Sequence, residues 1–171
     1  MANSKQYTKQ ELMQLAYNTA IKYGVSPEVV MGIIDRETGG SWNPNSKNYS
    51  KIERSQGLMQ INIDAHPDYK GGYDPVQNID YGVRYLQRLL KMHGGDYSKA
   101  VASYNGSGSK AREYSKDVLL NRATKFDKNT MNNLAKNSGV SPTSSQGLLA
   151  KMQGNTTGAA ANIDGGYQQL P

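Results

Sequence analysis

The chain has 171 residues, of which 36% are hydrophobic and 8% aromatic, and its formal net charge is +6 at pH 7. This length is sufficient for one compact domain with an apolar core and some additional chain. The absence of cysteine excludes a disulfide framework, a thiol nucleophile and a thiolate metal site. His66 and His93 match no spaced metal-ligand pattern, so we predict no metal and no organic cofactor.

The distribution of charge and apolar residues restricts the partners. No apolar stretch of secretory length begins the sequence and no run of about 18 apolar residues occurs, so we expect neither membrane insertion nor export by the ordinary route. Residues 109–136 carry seven basic and three acidic side chains, a balance that can attract any polyanion, including bacterial wall polymers. Because no aromatic platform accompanies this basic stretch, nucleic acid is not expected as the main partner.

The first two helices have clear start and stop signals. Thr8 and Glu11 form a capping box, and apolar residues follow at helical spacing until Gly24. Ser26 and then Pro27 provide an N-cap and a first-turn proline for the second helix. The sequence therefore predicts two consecutive helices separated by a short turn.

Glu37 lies at the end of the second helix, seven residues after Val30. Successive helical residues are about 100° apart, so Glu37 returns to within about 20° of Val30 and should face inward. Burial and the negative end of the helix dipole both oppose ionisation. A carboxyl group that stays protonated near neutral pH can donate a proton, as the cleavage of a glycosidic bond requires.

The remaining sequence predicts loops followed by further helices. Residues 41–72 are mainly polar, with asparagine, serine, glycine, lysine and tyrosine prominent, which favours loops with a short hairpin. A third helix should begin at Asp74 and end at Gly94, and Asp96 should cap a fourth helix. A last amphipathic segment is expected near residues 111–119.

We place one domain at residues 1–122 and a polar C-terminal extension or tail at residues 123–171. The tail is rich in asparagine, serine, threonine, glycine, glutamine and alanine and shows no sustained apolar periodicity from residue 137 onward. Leu134 and the stretch 146–152 could nevertheless form short helices that dock on the domain or on a partner.

Four groups of residues occur in an order that is typical of one enzyme family. They are Glu37-Thr38 with Trp42-Asn43-Pro44, then Gly57-Leu58-Met59-Gln60-Ile61, then Asn78-Ile79 with Gly82, Tyr85-Leu86 and Leu89, and finally Ala100, Ala102 and Ser103-Tyr104-Asn105-Gly106. On these residues, positions 10 to 122 resemble the lysozyme-like lytic transglycosylases of the soluble (SLT) type, in the goose-lysozyme superfamily. The resemblance implies a mainly α-helical, lysozyme-like fold with a small loop or hairpin region.

The resemblance also implies a reaction and a set of site residues. Glu37 would cleave the β-1,4 bond between MurNAc and GlcNAc in peptidoglycan glycan strands and would leave a 1,6-anhydro sugar. The hydroxyl group of Tyr104 would hold the Glu37 carboxyl group. Trp42 is expected to pack the loop after the catalytic helix. The residues expected to contact the substrate are Gln60, Met59, Ser50, Thr38 and Asn105.

Two alternatives keep the fold and change the role. A hydrolase would use water and a second carboxylate, for which Glu53, Asp64 and Asp68 are the candidates. An inactive structural virion protein is the other alternative.

The absence of an export signal leads us to expect a phage product, either a virion component or a lysis enzyme. Such a protein would be held in the virion or the host cytoplasm and would act in the periplasm or cell wall. Its tail could bind phage structural proteins. A secretion-system enzyme is the other candidate, although it would be expected to carry an export signal.

Overall fold

A computed structural model describes residues 6–50 and 53–138. Most of this part of the chain is helical, as predicted, with three short strands inserted between the second and third helices. The stretch 146–152, where a short helix was considered, lies outside the described residues. The elements are α1 (Lys9–Tyr23), α2 (Pro27–Glu37), β1 (Lys47–Tyr49), β2 (Arg54–Gln56), β3 (Ile61–Asn62), α3 (Pro75–Met92), α4 (Tyr97–Asn105), α5 (Gly108–Lys116) and α6 (Lys128–Ser138).

The capping residues of α1 take the positions that the sequence predicts. The amide nitrogen of Glu11 donates to Oγ1 of Thr8 at 3.2 Å, and the amide nitrogen of Thr8 donates to Oε2 of Glu11 at 2.8 Å. Gly24 ends the helix with a φ of 66°, a left-handed conformation that costs glycine little. The next helix begins with Ser26 as N-cap and Pro27 in its first turn.

Helix α2 lies in the centre of the fold and carries Glu37 at its C-terminal end. Its apolar side chains, including Val30, Ile33 and Ile34, are completely buried. Gly32 allows a close approach, because a Cβ atom there would lie 2.9 Å from the backbone nitrogen of Ala123. Helix α1 and the chain that follows α5 both pack against α2, so α2 is held on two sides.

The three strands form a small antiparallel sheet in the order β1-β2-β3. Lys47 pairs with Gln56 across the first two strands, and Gln56 pairs with Ile61 across the second two. This sheet is the hairpin region that the polar sequence between α2 and α3 predicts. It places the tight loop of residues 57–60 beside the C-terminal end of α2.

The core continues beyond residue 122, where the sequence placed the start of the tail. A π-helical turn over Asp117–Arg122 and a 3₁₀ turn over Ala123–Lys125 lead into α6. Met131, Leu134 and Ala135 follow helical spacing and are buried in the core cluster, and α6 packs on α1.

A polar contact also joins α6 to α1. The side-chain nitrogen of Gln14 donates to the carbonyl oxygen of Leu134 at 3.0 Å and to Oγ of Ser138 at 2.7 Å. Residues 128–138 are therefore part of the folded unit. No helix within residues 6–50 and 53–138 is long and apolar enough to cross a membrane.

Candidate active site

A cleft of about 470 Å³ opens at the C-terminal end of α2. Four parts of the chain contribute to it: the end of α2, the small sheet with its loops, helix α3 and the end of α4. The residues around it are Glu37, Glu53, Gln60, Ile61, Asn62, Ala65, His66, Tyr85, Ser103, Tyr104, Asn105 and Gly106. Four of the predicted site residues, Glu37, Gln60, Tyr104 and Asn105, therefore meet in one cleft.

Glu37 faces this cleft, in the inward direction that its spacing from Val30 predicts. Burial raises the pKa of the Glu37 carboxyl group above its ordinary value, and the negative charge of Glu53 adds to the rise. A hydrogen bond from Tyr114 and the positive charge of Arg36 act in the opposite direction but do not cancel the effect of burial. The carboxyl group therefore holds its proton to a higher pH than an exposed glutamic acid does.

Tyr114 on α5 is the phenol that holds Glu37. Its hydroxyl group donates a hydrogen bond to Oε1 of Glu37. Burial raises the pKa of Tyr114 well above its ordinary value, so the hydroxyl group remains a neutral donor. The guanidinium of Arg36 lies 5.6 Å from the centroid of the Tyr114 ring, and Nε of Arg36 lies 2.9 Å from Oδ2 of Asp117. These contacts fix the ring beside the carboxyl group.

Asp35, on another face of α2, anchors this helix end to the chain that follows α5. Oδ2 of Asp35 accepts from Lys125 at 2.8 Å and from Arg122 at 3.1 Å. Burial by itself would raise the pKa of Asp35, but the hydrogen bonds from these two cations outweigh it and lower the pKa. These contacts join the C-terminal end of α2 to the chain that follows α5.

The expectation that Tyr104 holds the Glu37 carboxyl group is wrong in its geometry. The Tyr104 hydroxyl group donates to the backbone carbonyl oxygen of Met59 at 2.9 Å. A buried carbonyl needs a donor, and the carbonyl of this tight loop lies within reach of α4. Tyr104 still lines the cleft, and the charge of Glu37 contributes, after burial, to a pKa of Tyr104 well above its ordinary value.

Asn78 on α3 holds the loop that carries Met59 and Gln60. The amide nitrogen of Met59 donates to Oδ1 of Asn78 at 2.8 Å, and Nδ2 of Asn78 donates to the carbonyl oxygen of Gln56 at 2.9 Å. Gly57 has a φ of 81°, and a Cβ atom there would lie 2.4 Å from the Asn78 side chain. The loop can form only with glycine at this position, since both the conformation and the space exclude a larger residue.

Gln60 lies at the cleft, as expected, and its side-chain amide nitrogen donates hydrogen bonds to the backbone. Nε2 of Gln60 donates to the carbonyl oxygens of Gly57 at 2.7 Å and Ser46 at 3.0 Å. Its backbone has a φ of 44°, a left-handed conformation that is uncommon outside glycine and is often found at functional sites. The loop thus imposes a strained backbone on a residue that faces the cleft.

The expectation that Met59 lines the groove is wrong, because its side chain is completely buried. Its sulfur atom occupies the space above Gly82 of α3, where a Cβ atom would lie 2.5 Å from it. Apolar packing against α3 therefore takes this side chain away from the cleft.

Two further expected contacts lie outside the cleft. Thr38 caps α2 instead, since its hydroxyl group donates to the carbonyl oxygen of Ile34 at 2.7 Å and accepts from the amide nitrogen of Trp42 at 3.1 Å. Ser50 is exposed at the end of β1 and is not among the residues around the cleft. Trp42 packs as expected: it is 2% exposed, with its ring centroid 5.9 Å from that of Phe126.

Comparison with known proteins identifies the family of this chain. The model of the Transglycosylase SLT domain family matches residues 14–126, about two thirds of the chain. The chain belongs to the SLT domain family. The match confirms the lysozyme-like assignment made from the four groups of residues. No solved structure matches the chain.

The curated relatives of this SLT domain are longer proteins. Membrane-bound lytic murein transglycosylase C of Histophilus somni is 24% identical over 149 residues, covering 74% of this chain and 40% of that protein. The protein of the same name from Yersinia enterocolitica is 30% identical and covers 72% and 37%. Soluble lytic murein transglycosylase of Salmonella typhimurium is 32% identical and covers 69% and 20%. The chain therefore spans two fifths or less of each relative's length.

The sequence predicts no functional role for Tyr114, which donates to Glu37, or for His66, which lines the SLT cleft. Tyr114 lies in the amphipathic segment expected near residues 111–119, and the inward face of that segment is the only signal in the sequence that Tyr114 packs toward α2. His66 was treated as an isolated histidine, yet it lines the cleft, with Nδ1 at 3.1 Å from the Tyr81 hydroxyl oxygen and its ring centroid 4.7 Å from that of Tyr85. Burial lowers the pKa of His66, which favours a neutral imidazole in the cleft.

The three candidate second carboxylates occupy different surroundings. Glu53 lies at the cleft with Glu37. Asp64 accepts two hydrogen bonds from Nε of Arg54, at 3.0 and 3.1 Å, and Asp68 accepts from the Tyr81 hydroxyl group at 2.8 Å. Neither aspartate is among the residues around the cleft. Within residues 6–50 and 53–138, no group of three His, Cys, Asp or Glu residues is placed to hold a metal ion.

Proposed function

We propose that this SLT domain cleaves the β-1,4 bond between MurNAc and GlcNAc in peptidoglycan by intramolecular transglycosylation. The observation that carries the proposal is Glu37: its carboxyl group faces a cleft, burial raises its pKa, and a neutral phenol donates to one of its oxygens. The names of the curated relatives, which are lytic murein transglycosylases, support the same reaction and substrate class.

In the first step Glu37 acts as a general acid. Tyr114 donates to Oε1 of Glu37, so Oε2 is the oxygen left to carry the proton toward the glycosidic oxygen. Protonation allows the bond between C1 of MurNAc and that oxygen to break, and positive charge develops at C1. The Glu37 carboxylate that results keeps the hydrogen bond from Tyr114, which is strongest toward a charged acceptor.

In the second step the same carboxylate acts as a base. It takes the proton from the C6 hydroxyl group of MurNAc, and the C6 oxygen forms a bond to C1. One C–O bond has broken and one has formed, no water is consumed, and Glu37 regains its proton. A single carboxyl group therefore completes the cycle, provided that its pKa lies high enough for donation and low enough for recovery.

Product analysis on purified sacculi tests this proposal. The chain should release muropeptides that end in 1,6-anhydroMurNAc, identified by mass spectrometry as one water lighter than the reducing form. Glu37→Gln should lower the rate by about a hundredfold or more, because it removes the only transferable proton of the mechanism. Glu113→Gln, on the exposed face of α5, is the matched control and should retain the wild-type rate.

Hydrolysis by the same fold is the second candidate, and the presence of Glu53 at the cleft is the observation that favours it. A hydrolase would use Glu53 to activate water and would release reducing ends. Products without any anhydro form would reject transglycosylation in favour of hydrolysis. Equal products from the wild-type chain and the Glu37→Gln variant would reject both candidates. The phage origin and the role of the tail in binding phage proteins stay predictions.

A further inference from the structure

Glu53 is an acidic side chain that the proposed reaction leaves without a role, although it lines the same cleft as Glu37. It lies just before β2, and its backbone carbonyl oxygen accepts from the amide nitrogen of Ser50 at 2.8 Å. Oε1 of Glu53 accepts a hydrogen bond from Oγ of Ser55 at 2.6 Å. Because Ser55 is only 1% exposed, its hydroxyl group is a fixed donor that orients the carboxylate.

The charge of Glu53 has no cationic partner in the described part of the chain. Within residues 6–50 and 53–138, no lysine or arginine lies within ion-pair distance of its carboxylate, whereas the nearby Asp64 is paired with Arg54. The Glu53 side chain is half-buried where it borders the cleft. Among the described residues, Glu53 is therefore an oriented carboxylate at the cleft that no lysine or arginine pairs with.

We propose that Glu53 is an electrostatic positioning residue of this active site, which assists proton donation by Glu37 without forming a bond to the sugar. This inference rests on the proposed function. Like charges in a partly desolvated cleft disfavour each other's ionised forms, so Glu53 opposes early loss of the Glu37 proton. The same charge favours the positive charge that develops at C1 when the glycosidic bond breaks.

The other titratable groups that line the cleft or adjoin Glu37 do not add a negative charge that would raise the pKa of Glu37. Tyr104 and Tyr114 are buried phenols whose pKa values are raised by burial, so both are neutral. Burial lowers the pKa of His66, and a neutral imidazole adds no charge. Arg36 carries the opposite sign and is paired with Asp117. Burial is the largest cause of the raised pKa of Glu37, and the charge of Glu53, the one negative charge among these groups, raises it further.

The direct test measures the titration of Glu37 in the full chain without substrate. Carboxyl carbons of ¹³C-labelled glutamate are followed by NMR as a function of pH in the wild-type chain and in Glu53→Gln, with Glu37→Gln used to assign the signal. The amide that replaces the Glu53 carboxylate keeps its shape and can still accept from Ser55, so folding should be retained. The Glu37 signal should titrate at lower pH in Glu53→Gln, and an unchanged midpoint would overturn the proposal.

Asp64→Asn is the matched control. It removes a carboxylate from the same hairpin region, but one that is paired with Arg54 and lies outside the cleft. The Glu37 titration should be the same in Asp64→Asn as in the wild-type chain. An equal change of the Glu37 titration midpoint in both variants would mean that overall charge causes it, and this result would contradict a specific role for Glu53.

Activity gives a second, independent readout. The basic limb of the profile of kcat/KM against pH should move to lower pH in Glu53→Gln, with a rate about threefold below wild type on that limb. Ser55→Ala, which frees the carboxylate without removing its charge, should move the limb in the same direction by less. A larger movement of the basic limb in Ser55→Ala than in Glu53→Gln would contradict the proposal.

Product analysis separates failure of this inference from failure of the proposed function. Anhydro products from the wild-type chain together with an unmoved Glu37 titration in Glu53→Gln would reject the inference alone. Reducing products from the wild-type chain that disappear in Glu53→Gln would make Glu53 a base that activates water and would overturn the proposal together with transglycosylation.

Discussion

Tyr114 and Glu37 are 77 residues apart in the sequence and share a hydrogen bond beside the cleft. The bond connects α5 to the C-terminal end of α2, and the guanidinium of Arg36 lies over the Tyr114 ring. Tyr104, which the family resemblance assigns to this position, holds the backbone of Met59 instead. Tyr114 therefore orients the Glu37 carboxyl group, whereas Tyr104 holds the loop of residues 57–60.

Tyr114→Phe should slow the reaction and change its pH dependence. The hydrogen bond from Tyr114 lowers the pKa of Glu37, so its loss should raise that pKa and move the basic limb of kcat/KM to higher pH. The Glu37 carboxylate formed after the first step would lose a charge-assisted donor, and kcat should fall about tenfold. Rates of sacculus cleavage between about pH 4 and 9 measure both effects.

Tyr104→Phe is the comparison for this variant. It should leave the midpoint of the basic limb nearly unchanged and should cost about 1 kcal/mol in the free energy of unfolding, because the Met59 carbonyl loses its donor. A larger movement of the basic limb in Tyr104→Phe than in Tyr114→Phe would restore the original assignment of Tyr104.

Glu37→Gln should make the folded chain more stable above about pH 5. Burial raises the folded-state pKa of Glu37 above its unfolded value, so its contribution to stability is fully present below the unfolded pKa. That contribution is lost as the pH rises through the folded pKa. Replacement by neutral glutamine avoids this loss. The free energy of unfolding of Glu37→Gln should exceed that of the wild-type chain by about 1 kcal/mol at about pH 8 and by almost nothing at about pH 4. Urea unfolding at both pH values measures the difference, and Glu113→Gln should show no such gain.

Asn78→Ala should destabilise the chain and impair substrate binding. The substitution leaves the amide nitrogen of Met59 and the carbonyl oxygen of Gln56 without their buried partner, at a cost of roughly 3 kcal/mol. Because the loop carries Gln60 into the cleft, KM should rise in variant protein that remains folded. Asn133→Ala, on the exposed face of α6, is the control and should change neither the free energy of unfolding nor KM. Equal free energies of unfolding for the two variants would show that Asn78 does not hold the loop.

Leu134→Ala tests whether α6 belongs to the cooperative fold. Leu134 is 1% exposed and packs in the core with α1, so its truncation should cost about 3 kcal/mol. Leu120 is 66% exposed, and Leu120→Ala should change the unfolding free energy by no more than about 0.5 kcal/mol. Thermal unfolding of Leu134→Ala and Leu120→Ala tests this prediction. Equal unfolding midpoints would mean that α6 does not contribute to stability.

The helices and the position of the acid could be read from local signals. Capping residues, first-turn prolines and terminal glycines act over a few residues, so the boundaries of α1, α2, α3 and α4 follow from neighbouring residues. Helical spacing also predicted the inward direction of Glu37. The extent of α6 was harder to predict because Met131, Leu134 and Ala135 are few apolar positions in a polar stretch, and only contact with α1 shows that they are buried.

The contacts around the acid depended on distances that no local pattern encodes. Tyr104 and Tyr114 are both tyrosines on helices that follow Glu37, and which hydroxyl group reaches the carboxyl group is decided by how α4 and α5 cross the end of α2. The family resemblance implies that Met59 contacts the substrate, yet its side chain is completely buried against Gly82 of α3. The absence of a side chain at Gly82 leaves the room that the Met59 sulfur atom fills.

The amino-acid sequence alone determined the first four helices, the family and the inward-facing acid, because periodicity and capping operate through bonds and contacts between near neighbours. Only the tertiary structure decided which phenol donates to Glu37 and which second carboxylate shares its cleft. Those relationships join residues from separate elements, and electrostatic effects between them depend on separation and burial in three dimensions.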